Sequence, residues 1–227
     1  MFWCEYPRDA VRVHGPDAAS YLQSQVSQDL RPLGVGQSAW TFILQPTGKV
    51  DVLARVWRVG EEELVLDTDA GFGEEMTARL NRFRIRVKAQ IEPLDWRCIA
   101  VRGADSSSDV ELPEGAVVAW GAGYDLLGEA PAAPAGIPPG SAEDLHAARV
   151  DAVWPAMGSE IVPGEVIPAE TGITAVAVSY TKGCYPGQEL VERMDSRGAA
   201  PPRLLQRVVG DDGVPRLVYV GRRNLQD

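Results

Sequence analysis

A glycine-jointed loop that runs into an apolar-faced segment constrains the fold more than any other part of this sequence. Residues 179–191 read SYTKGCYPGQELV, and Gly183 and Gly187 permit backbone angles that other residues avoid. Pro186 suits the first position of a helix. The apolar side of that helix would be formed by Leu190, Val191 and Met194. The sequence therefore predicts a tight loop that leads directly into a helix.

Cys184 is the chemically distinctive residue of this loop. It stands just ahead of the predicted helix and close to Lys182, and both features favour the thiolate form. A working thiol is one interpretation, and a small buried cysteine in a packed turn is the other. The remaining cysteines are Cys4 and Cys98, and no two of the three have C-x-x-C spacing. We therefore expect neither a disulfide framework nor a metal site.

The charge balance limits the classes of partner. Among 227 residues, 22 are basic and 32 acidic, which gives a formal net charge of −10 and makes direct binding of nucleic acid unexpected. A basic stretch, 79–88, nevertheless follows an acidic one, 61–75, and is suited to an anionic small molecule. The chain shows no signal-peptide pattern, no apolar run of about 20 residues and no coiled-coil pattern. We expect a cytoplasmic monomer without a membrane partner.

Strand and helix patterns are mixed without strict alternation, which favours the α+β class. Strands are predicted at 11–15, 63–67, 97–102 and 116–120, and a hairpin at 39–59. The strictest period-two alternation, at 83–91, predicts another strand with one basic face. Helices are predicted at 71–82, after Pro16 with a face that reaches Leu30, and after Ser141, where Asp144 completes a capping box. The Pro-, Ala- and Gly-rich residues 129–140 are typical of a linker.

The loop and four other segments resemble the YgfZ family of folate-binding proteins. The run K-G-C-Y-x-G-Q-E matches that family's signature through Lys182, Gly183, Cys184, Tyr185, Gly187, Gln188 and Glu189. The agreeing segments are 15–30, 44–50, 149–172 and the closing pattern of Arg197, Gly198 and Arg203. The resemblance thus extends from about residue 11 to about residue 208.

This resemblance implies the α+β fold of the glycine-cleavage T-protein, in which two halves surround a central channel that holds tetrahydrofolate. We expect an N-terminal half at 1–130, a second half with the motif at 140–208 and a vestigial segment at 209–227. Because only about twenty residues follow Arg207, the family's C-terminal β-barrel should be reduced or absent.

The resemblance implies a folate binder that supports assembly or repair of iron–sulfur clusters, and thereby tRNA modification. Its partners would be folate and iron–sulfur client or assembly proteins, with Cys184 as the working residue.

The T-protein pattern G-G-[VI]-x-D-D appears here as GKVDVL, so the aspartate pair is missing and Asp51 is shifted by one position. That shift turns its side chain to the other face of a strand, or leaves it a solvated strand residue.

Two other functions stay open. A folate-dependent aminomethyltransferase or other one-carbon transferase is the enzymatic alternative, although the missing aspartate pair argues against it. The third hypothesis is a module that has lost folate binding and serves only contacts with other proteins.

The folate site itself is predicted from the same resemblance. Asp151 stands at the acid of the T-protein pattern R-L-E-A-G and is the first candidate for the pterin, with Glu170 second. The candidates for an aromatic wall are Tyr185, Trp40 and Trp154. The candidates for the glutamate tail are Arg84, Arg86 and Arg193. The alternatives are surface salt bridges for the acids, core packing for the aromatic residues and an exposed basic face for the arginines.

Overall fold

The computed structural model describes residues 1–103, 113–196 and 200–222. Its β-strands are β1 (Phe2–Glu5), β2 (Arg8–His14), β3 (Ser38–Leu44), β4 (Val50–Gly60), β5 (Glu63–Asp69), β6 (Gln90–Leu94), β7 (Arg97–Arg102), β8 (Ala116–Val118), β9 (Gly123–Gly128), β10 (Arg203–Val209) and β11 (Pro215–Gly221). Its α-helices are α1 (Ala18–Gln23), α2 (Gly73–Arg82), α3 (Ala142–Asp151), α4 (Thr174–Ala177) and α5 (Gln188–Ser196).

The larger sheet has five antiparallel strands in the order β3-β4-β5-β2-β6. Helices α1 and α2 cover one face, where Leu22, Met76 and Leu80 pack on alternate strand residues such as Val11 and Val52. These five side chains are almost completely buried, which is the arrangement that the period of two along each strand requires. Burial of each one contributes about 1.5–3 kcal/mol.

The smaller sheet has four antiparallel strands in the order β1-β7-β9-β8, so the chain's first strand closes a sheet built mostly from residues 97–128. Residues of this sheet, of the larger sheet and of the segment 145–191 share one core, which includes Trp40, Trp120 and Trp154. The motif segment therefore packs on the face of the larger sheet that α1 and α2 leave free.

The closing parts of the described chain are helical and then hairpin-like. Helix α3 begins at the predicted capping box, in which Ser141 and Asp144 exchange side-chain and backbone hydrogen bonds. Strands β10 and β11 pair only with each other, so residues 200–222 form one antiparallel hairpin and no closed barrel. The hairpin contacts the body through several side chains, among them Tyr219, whose hydroxyl donates to the Glu160 carbonyl at 2.9 Å.

Most predicted elements are confirmed, among them the hairpin at 39–59, helix α2 and the capped helix α3. The strand predicted at 83–91 is wrong, because only Gln90 onward joins a sheet. Strand β2, the only neighbour available at that edge, ends at His14 opposite Gln90. Residues 83–89 therefore have no strand to pair with and form a loop, which is exposed from Phe83 to Arg86 and buried again at Ala89.

The helix predicted to reach Leu30 is also shorter than expected, because α1 ends at Gln23. Val26 instead makes a single bridge to Ile43 of β3. Both sheets fall within the first predicted unit, 1–130, apart from the isolated bridge of Trp3 to Pro139. The unit boundaries themselves stay a prediction.

Candidate functional site

The motif loop is fastened on one side by the buried ammonium of Lys182. Its Nζ donates to the carbonyl oxygens of Gln23 at 2.6 Å, of Gln28 at 3.1 Å and of Val26. These carbonyls lie at and just beyond the end of α1, where a helix leaves acceptors without partners and favours a cation. Burial lowers the pKa of Lys182 to about 8.

The loop is fastened on the other side by contact between two glycines. Gly187 has a φ of +82°, and its Cα hydrogen faces Gly48 of the β3–β4 turn, where φ is +85°. A Cβ at Gly187 would lie 2.9 Å from the Cα of Gly48 and would overlap the Gln45 carbonyl oxygen. A Cβ at Gly48 would lie 2.5 Å from that of Leu190. Gly48 and Gly187 belong to two separate motifs, and both must be glycine because their backbones lie so close together.

Two local expectations for the loop are corrected by this geometry. Gly183 does not have a positive φ, and a Cβ there would meet open space, so no backbone constraint explains it. Pro186 lies in the turn before α5 rather than at its first position, because the left-handed Gly187 comes between them. Gln188 is instead the first residue of the helix, and its side chain stabilises the preceding turn because Oε1 accepts the Tyr185 N–H at 3.3 Å.

The side chain of Cys184 is exposed, whereas Cys4 and Cys98 are buried. Of the two sequence interpretations, the packed-turn cysteine is therefore wrong. The ammonium of Lys182, which was expected to favour the thiolate, instead donates to three backbone carbonyl groups. Tyr185, the next residue, is 8% exposed, lies in the core and has the Lys182 ammonium 4.9 Å from its ring centre.

The two candidate acids have different surroundings. Asp151 ends α3 with a side chain that is 67% exposed, and its only described partner is Arg207 Nε at 2.9 Å. Glu170 is 5% exposed, and both its oxygens are engaged, one by the Ile167 N–H at 3.1 Å and the other by Arg203 Nε at 3.0 Å. Asp151 therefore retains free acceptor positions, while Glu170 retains few.

A strained backbone lies two residues beyond Asp151, at Val153. Val153 has a φ of +51°, which is a rare conformation for any side-chain-bearing residue and rarer for a β-branched one. It occupies the place where the T-protein pattern R-L-E-A-G has glycine. The turn that leads from α3 to Trp154 thus keeps a glycine-like geometry without the glycine.

The remaining candidates are dispersed. Trp40 and Trp154 are buried against each other, with ring centres 4.7 Å apart. Arg84 donates to Asn81 and to the Ala89 carbonyl within the loop after α2. The other two arginines, Arg86 and Arg193, are exposed, and Arg193 pairs with Glu189 of its own helix. Each side chain makes separate contacts, so the structure does not gather the predicted folate residues into one set of mutual contacts.

Asp51 is not a solvated strand residue, contrary to one of its two interpretations. It is 7% exposed and pairs with Arg79 of α2 at 3.2 Å. Arg79 also donates to the Leu44 carbonyl at 2.7 Å. The carboxylate is thus turned toward α2, away from the face on which the motif segment packs.

Sequence reasoning missed a buried chain of alternating charges between the two sheets, which we call the central ion cluster. Its members are Arg8, Asp67, Arg55, Asp125 and Arg102. Every link measures 2.6–2.9 Å, and each residue is less than a tenth exposed. The available signal was a charged residue with apolar neighbours, as in LARVW around Arg55 and YDLL around Asp125.

Two negative findings concern the described residues alone. No group of three or more histidine, cysteine, aspartate or glutamate side chains in residues 1–103, 113–196 and 200–222 is arranged to hold a metal ion. No helix in the same ranges combines the length and apolarity that crossing a bilayer demands. The closing motif residues Arg197 and Gly198 lie outside the described residues.

Comparison with known proteins finds relatives by sequence. The chain is 29% identical over 214 residues to the tRNA-modifying protein YgfZ of Escherichia coli, which covers 82% of this chain and 65% of that protein. It is 28% identical over 226 residues to the mitochondrial iron–sulfur cluster assembly factor IBA57 of Mus musculus, covering 87% and 63%. The chain spans 53% to 66% of the length of the curated relatives it matches. No protein-family model matches it.

A solved structure identifies the fold. The glycine cleavage system aminomethyltransferase T from Bartonella henselae aligns with a TM-score of 0.66 over 94% of this chain and 71% of that one. At 16% sequence identity this likeness concerns the fold alone. The predicted α+β, T-protein-like architecture is confirmed.

Proposed function

We propose that this chain, a homologue of the tRNA-modifying protein YgfZ and of the iron–sulfur cluster assembly factor IBA57, binds tetrahydrofolate and supports assembly or repair of iron–sulfur clusters in the cytoplasm. The observation that carries the proposal is the exposed thiol of Cys184 on a loop fastened at both sides. Any effect on tRNA modification would be indirect, through iron–sulfur enzymes, because the net charge of −10 disfavours RNA.

The chemistry of Cys184 sets what the loop can do with a cluster. An iron–sulfur cluster takes about four ligands, and this loop presents one thiol. Cluster atoms would therefore be cargo, held jointly with a client or assembly protein and then released. A loop held by Lys182 and by the contact of Gly187 with Gly48 keeps the thiol at a fixed place on the surface, which suits transfer between proteins.

Tetrahydrofolate requires a carboxylate for its pterin, and Asp151 fits that need. One Asp151 oxygen accepts from Arg207, and the mostly exposed carboxylate keeps other acceptor positions for pterin N–H groups. Glu170 is the weaker candidate because both of its oxygens are engaged. Tyr185, which follows Cys184 in the sequence, remains the proposed apolar wall, and it could face a ligand only through the 8% of its surface that is exposed. Arg84 and Arg193 remain the proposed partners of the glutamate tail.

Aminomethyl transfer is the less supported alternative. A general acid or base must lie within hydrogen-bond reach of the reacting group. Asp51, the nearest equivalent of the T-protein acid, is buried against α2 and paired with Arg79. An assay of folate-dependent release of methylene groups from amine donors tests this alternative, and we expect no turnover above background.

A titration of tetrahydrofolate, followed by calorimetry, tests the folate part of the proposal. We expect saturable binding by the wild type and at least about tenfold weaker binding by Asp151→Ala, because a lost charge-assisted pair costs at least about 1.4 kcal/mol. Asp212→Ala is the matched control, since Asp212 is another exposed aspartate paired with an arginine. Absence of binding by the wild type would favour the remaining hypothesis, a module that serves protein contacts alone.

Complementation tests the iron–sulfur part independently. The gene is expressed in a bacterium that lacks its own YgfZ, and the activity of iron–sulfur enzymes is measured. We expect the wild type to restore activity and Cys184→Ser to fail at equal protein level. Restoration by Cys184→Ser would remove the thiol from the proposal, whatever the outcome of the folate titration.

A further inference from the structure

The exposed segment 82–88, which we call the basic loop, is the largest local departure from the acidic character of the chain. It reads RFRIRVK and contains four cations and no acid, within a chain of net charge −10. The acidic residues of α2 lie in its first turn, and the basic loop begins at its last. About 12 Å of helix therefore separates the two charges.

The basic loop is held at its base by its own hydrogen bonds. Arg84 donates from Nε to the Asn81 side chain at 3.1 Å and from Nη1 to the Ala89 carbonyl at 2.6 Å, and so connects the two ends. The Asp17 carboxylate accepts the Lys88 N–H at 2.8 Å. These three hydrogen bonds leave little freedom at the base, so the tip has a defined position.

The tip presents an aliphatic side chain to solvent. Ile85 is 76% exposed, the highest value among the large apolar residues of the described chain, and Phe83 beside it is 37% exposed. Arg86 follows with a φ of +58°, which is unfavourable for a residue with a side chain. A strained residue that holds an isoleucine out of the core is difficult to explain by folding alone.

Three cations of the basic loop have no acidic partner among the described residues. The ion pairs found among the described residues do not include Arg82, Arg86 or Lys88. No acidic side chain of residues 1–103, 113–196 or 200–222 therefore neutralises these three charges. Exposed arginine around an apolar anchor is the composition typical of an interaction hot spot.

We propose that the basic loop is a docking site for an acidic protein surface, with Ile85 entering an apolar cleft that carboxylates surround. Charge complementarity selects the acidic partner, because three unpaired cations attract carboxylates. A phosphate backbone has no cleft for Ile85, and three unpaired cations fall short of the cluster of about four to eight that typically binds anionic lipids, so a protein fits best. The inference does not depend on folate binding or on Cys184.

Selection of random peptides displayed on phage, with the folded full chain as bait, tests the proposal. We expect enriched peptides to contain aspartate or glutamate next to leucine or isoleucine. Their affinity, measured by fluorescence anisotropy, should weaken about tenfold or more in Ile85→Ser and in Arg82→Glu/Arg86→Glu. The matched controls are Val35→Ser, at another exposed β-branched apolar residue, and Arg222→Glu, and both should bind like the wild type.

Because every altered side chain is exposed, the variants should fold normally, which circular dichroism verifies. Enriched peptides without acidic residues, or binding that ignores the loop variants, would overturn the proposal. Ile85-dependent binding to phosphatidylserine vesicles would assign the loop to a membrane instead. Ile85-dependent self-association in sedimentation would assign it to a second copy of this chain.

Discussion

At the scale of single residues, Val153 combines an unfavourable backbone with a position beside the proposed folate carboxylate. Its φ of +51° costs about 1–3 kcal/mol for a residue with a side chain, and glycine avoids that cost. We therefore expect Val153→Gly to raise the free energy of unfolding by about 1 kcal/mol, measured by urea titration. The control is Ala152→Gly at a φ of −77°, which should lose stability. A loss of stability in both variants would contradict the argument.

The three cysteines should differ in reactivity as they differ in exposure. Cys184 is exposed, while burial raises the pKa of Cys4 and raises that of Cys98 to about 12. Because the thiolate is the nucleophile, we expect one fast equivalent with Ellman's reagent in the folded chain and three after unfolding. Cys184→Ser should abolish the fast equivalent. A fast equivalent that survives this change would show that a buried thiol becomes accessible.

At the scale of elements, the contact of Gly187 with Gly48 fixes how α5 meets the β3–β4 hairpin. Gly187→Ala forces a Cβ into the Gln45 carbonyl at a positive φ, so we expect a loss of about 2–4 kcal/mol. Gly183→Ala is the matched control within the same motif, because its Cβ meets open space. Chemical denaturation measures both. Equal losses of stability in the two variants would mean that the contact with Gly48 is not the reason for glycine at position 187.

The elements also show what the sequence could predict and what it could not. Elements whose whole sequence signal lies within a few residues were predicted correctly. Examples are the Pro-Thr-Gly turn of the hairpin and the capping box of Ser141 with Asp144. The strand at 83–91 failed because alternation describes a face but cannot supply a neighbouring strand. The contact of Lys182 with Gln23 and Val26 joins residues more than 150 positions apart, so no local pattern contains it.

In the candidate site, too, local signals could be predicted from the sequence and long-range contacts could not. The motif around Cys184 was readable because it is continuous, whereas the exposure of the thiol depends on where Lys182 and Gly187 attach the loop. The burial and pairing of Asp51 depend on which helix packs on its face of the sheet, and no local sequence pattern predicts that helix. Long-range packing, rather than local propensity, decides which motif residues meet solvent.

At the scale of the whole molecule, the central ion cluster joins the two sheets. Arg55 on β4 binds Asp67 on β5 at 2.9 Å and Asp125 on β9 at 2.6 Å, so one guanidinium spans both sheets. Such a buried pair adds little net stability over an apolar substitute, but removal of one partner leaves an uncompensated charge. The cluster should therefore make the two sheets unfold together.

Asp67 provides the test of that coupling through its charge. Burial alone would raise its pKa, but Arg55 and Arg8 outweigh burial and hold the pKa of Asp67 below its ordinary value. A carboxyl with a lowered folded pKa stabilises the protein above its unfolded pKa, near 4, and that contribution disappears as the pH falls further. We expect Asp67→Asn to cost about 3–5 kcal/mol near neutral pH, and the difference from the wild type to shrink below about pH 4.

The measurement is urea unfolding across this pH range, followed by tryptophan fluorescence and by far-ultraviolet circular dichroism. Coincident transitions for the wild type would show that both sheets unfold as one unit, since the tryptophans are distributed over both. Asp212→Asn is the control, because its pair with Arg216 is exposed and should matter little. If Asp67→Asn lost no more stability than this control, the cluster could not be what couples the sheets, and the shared tryptophan core would have to do so alone.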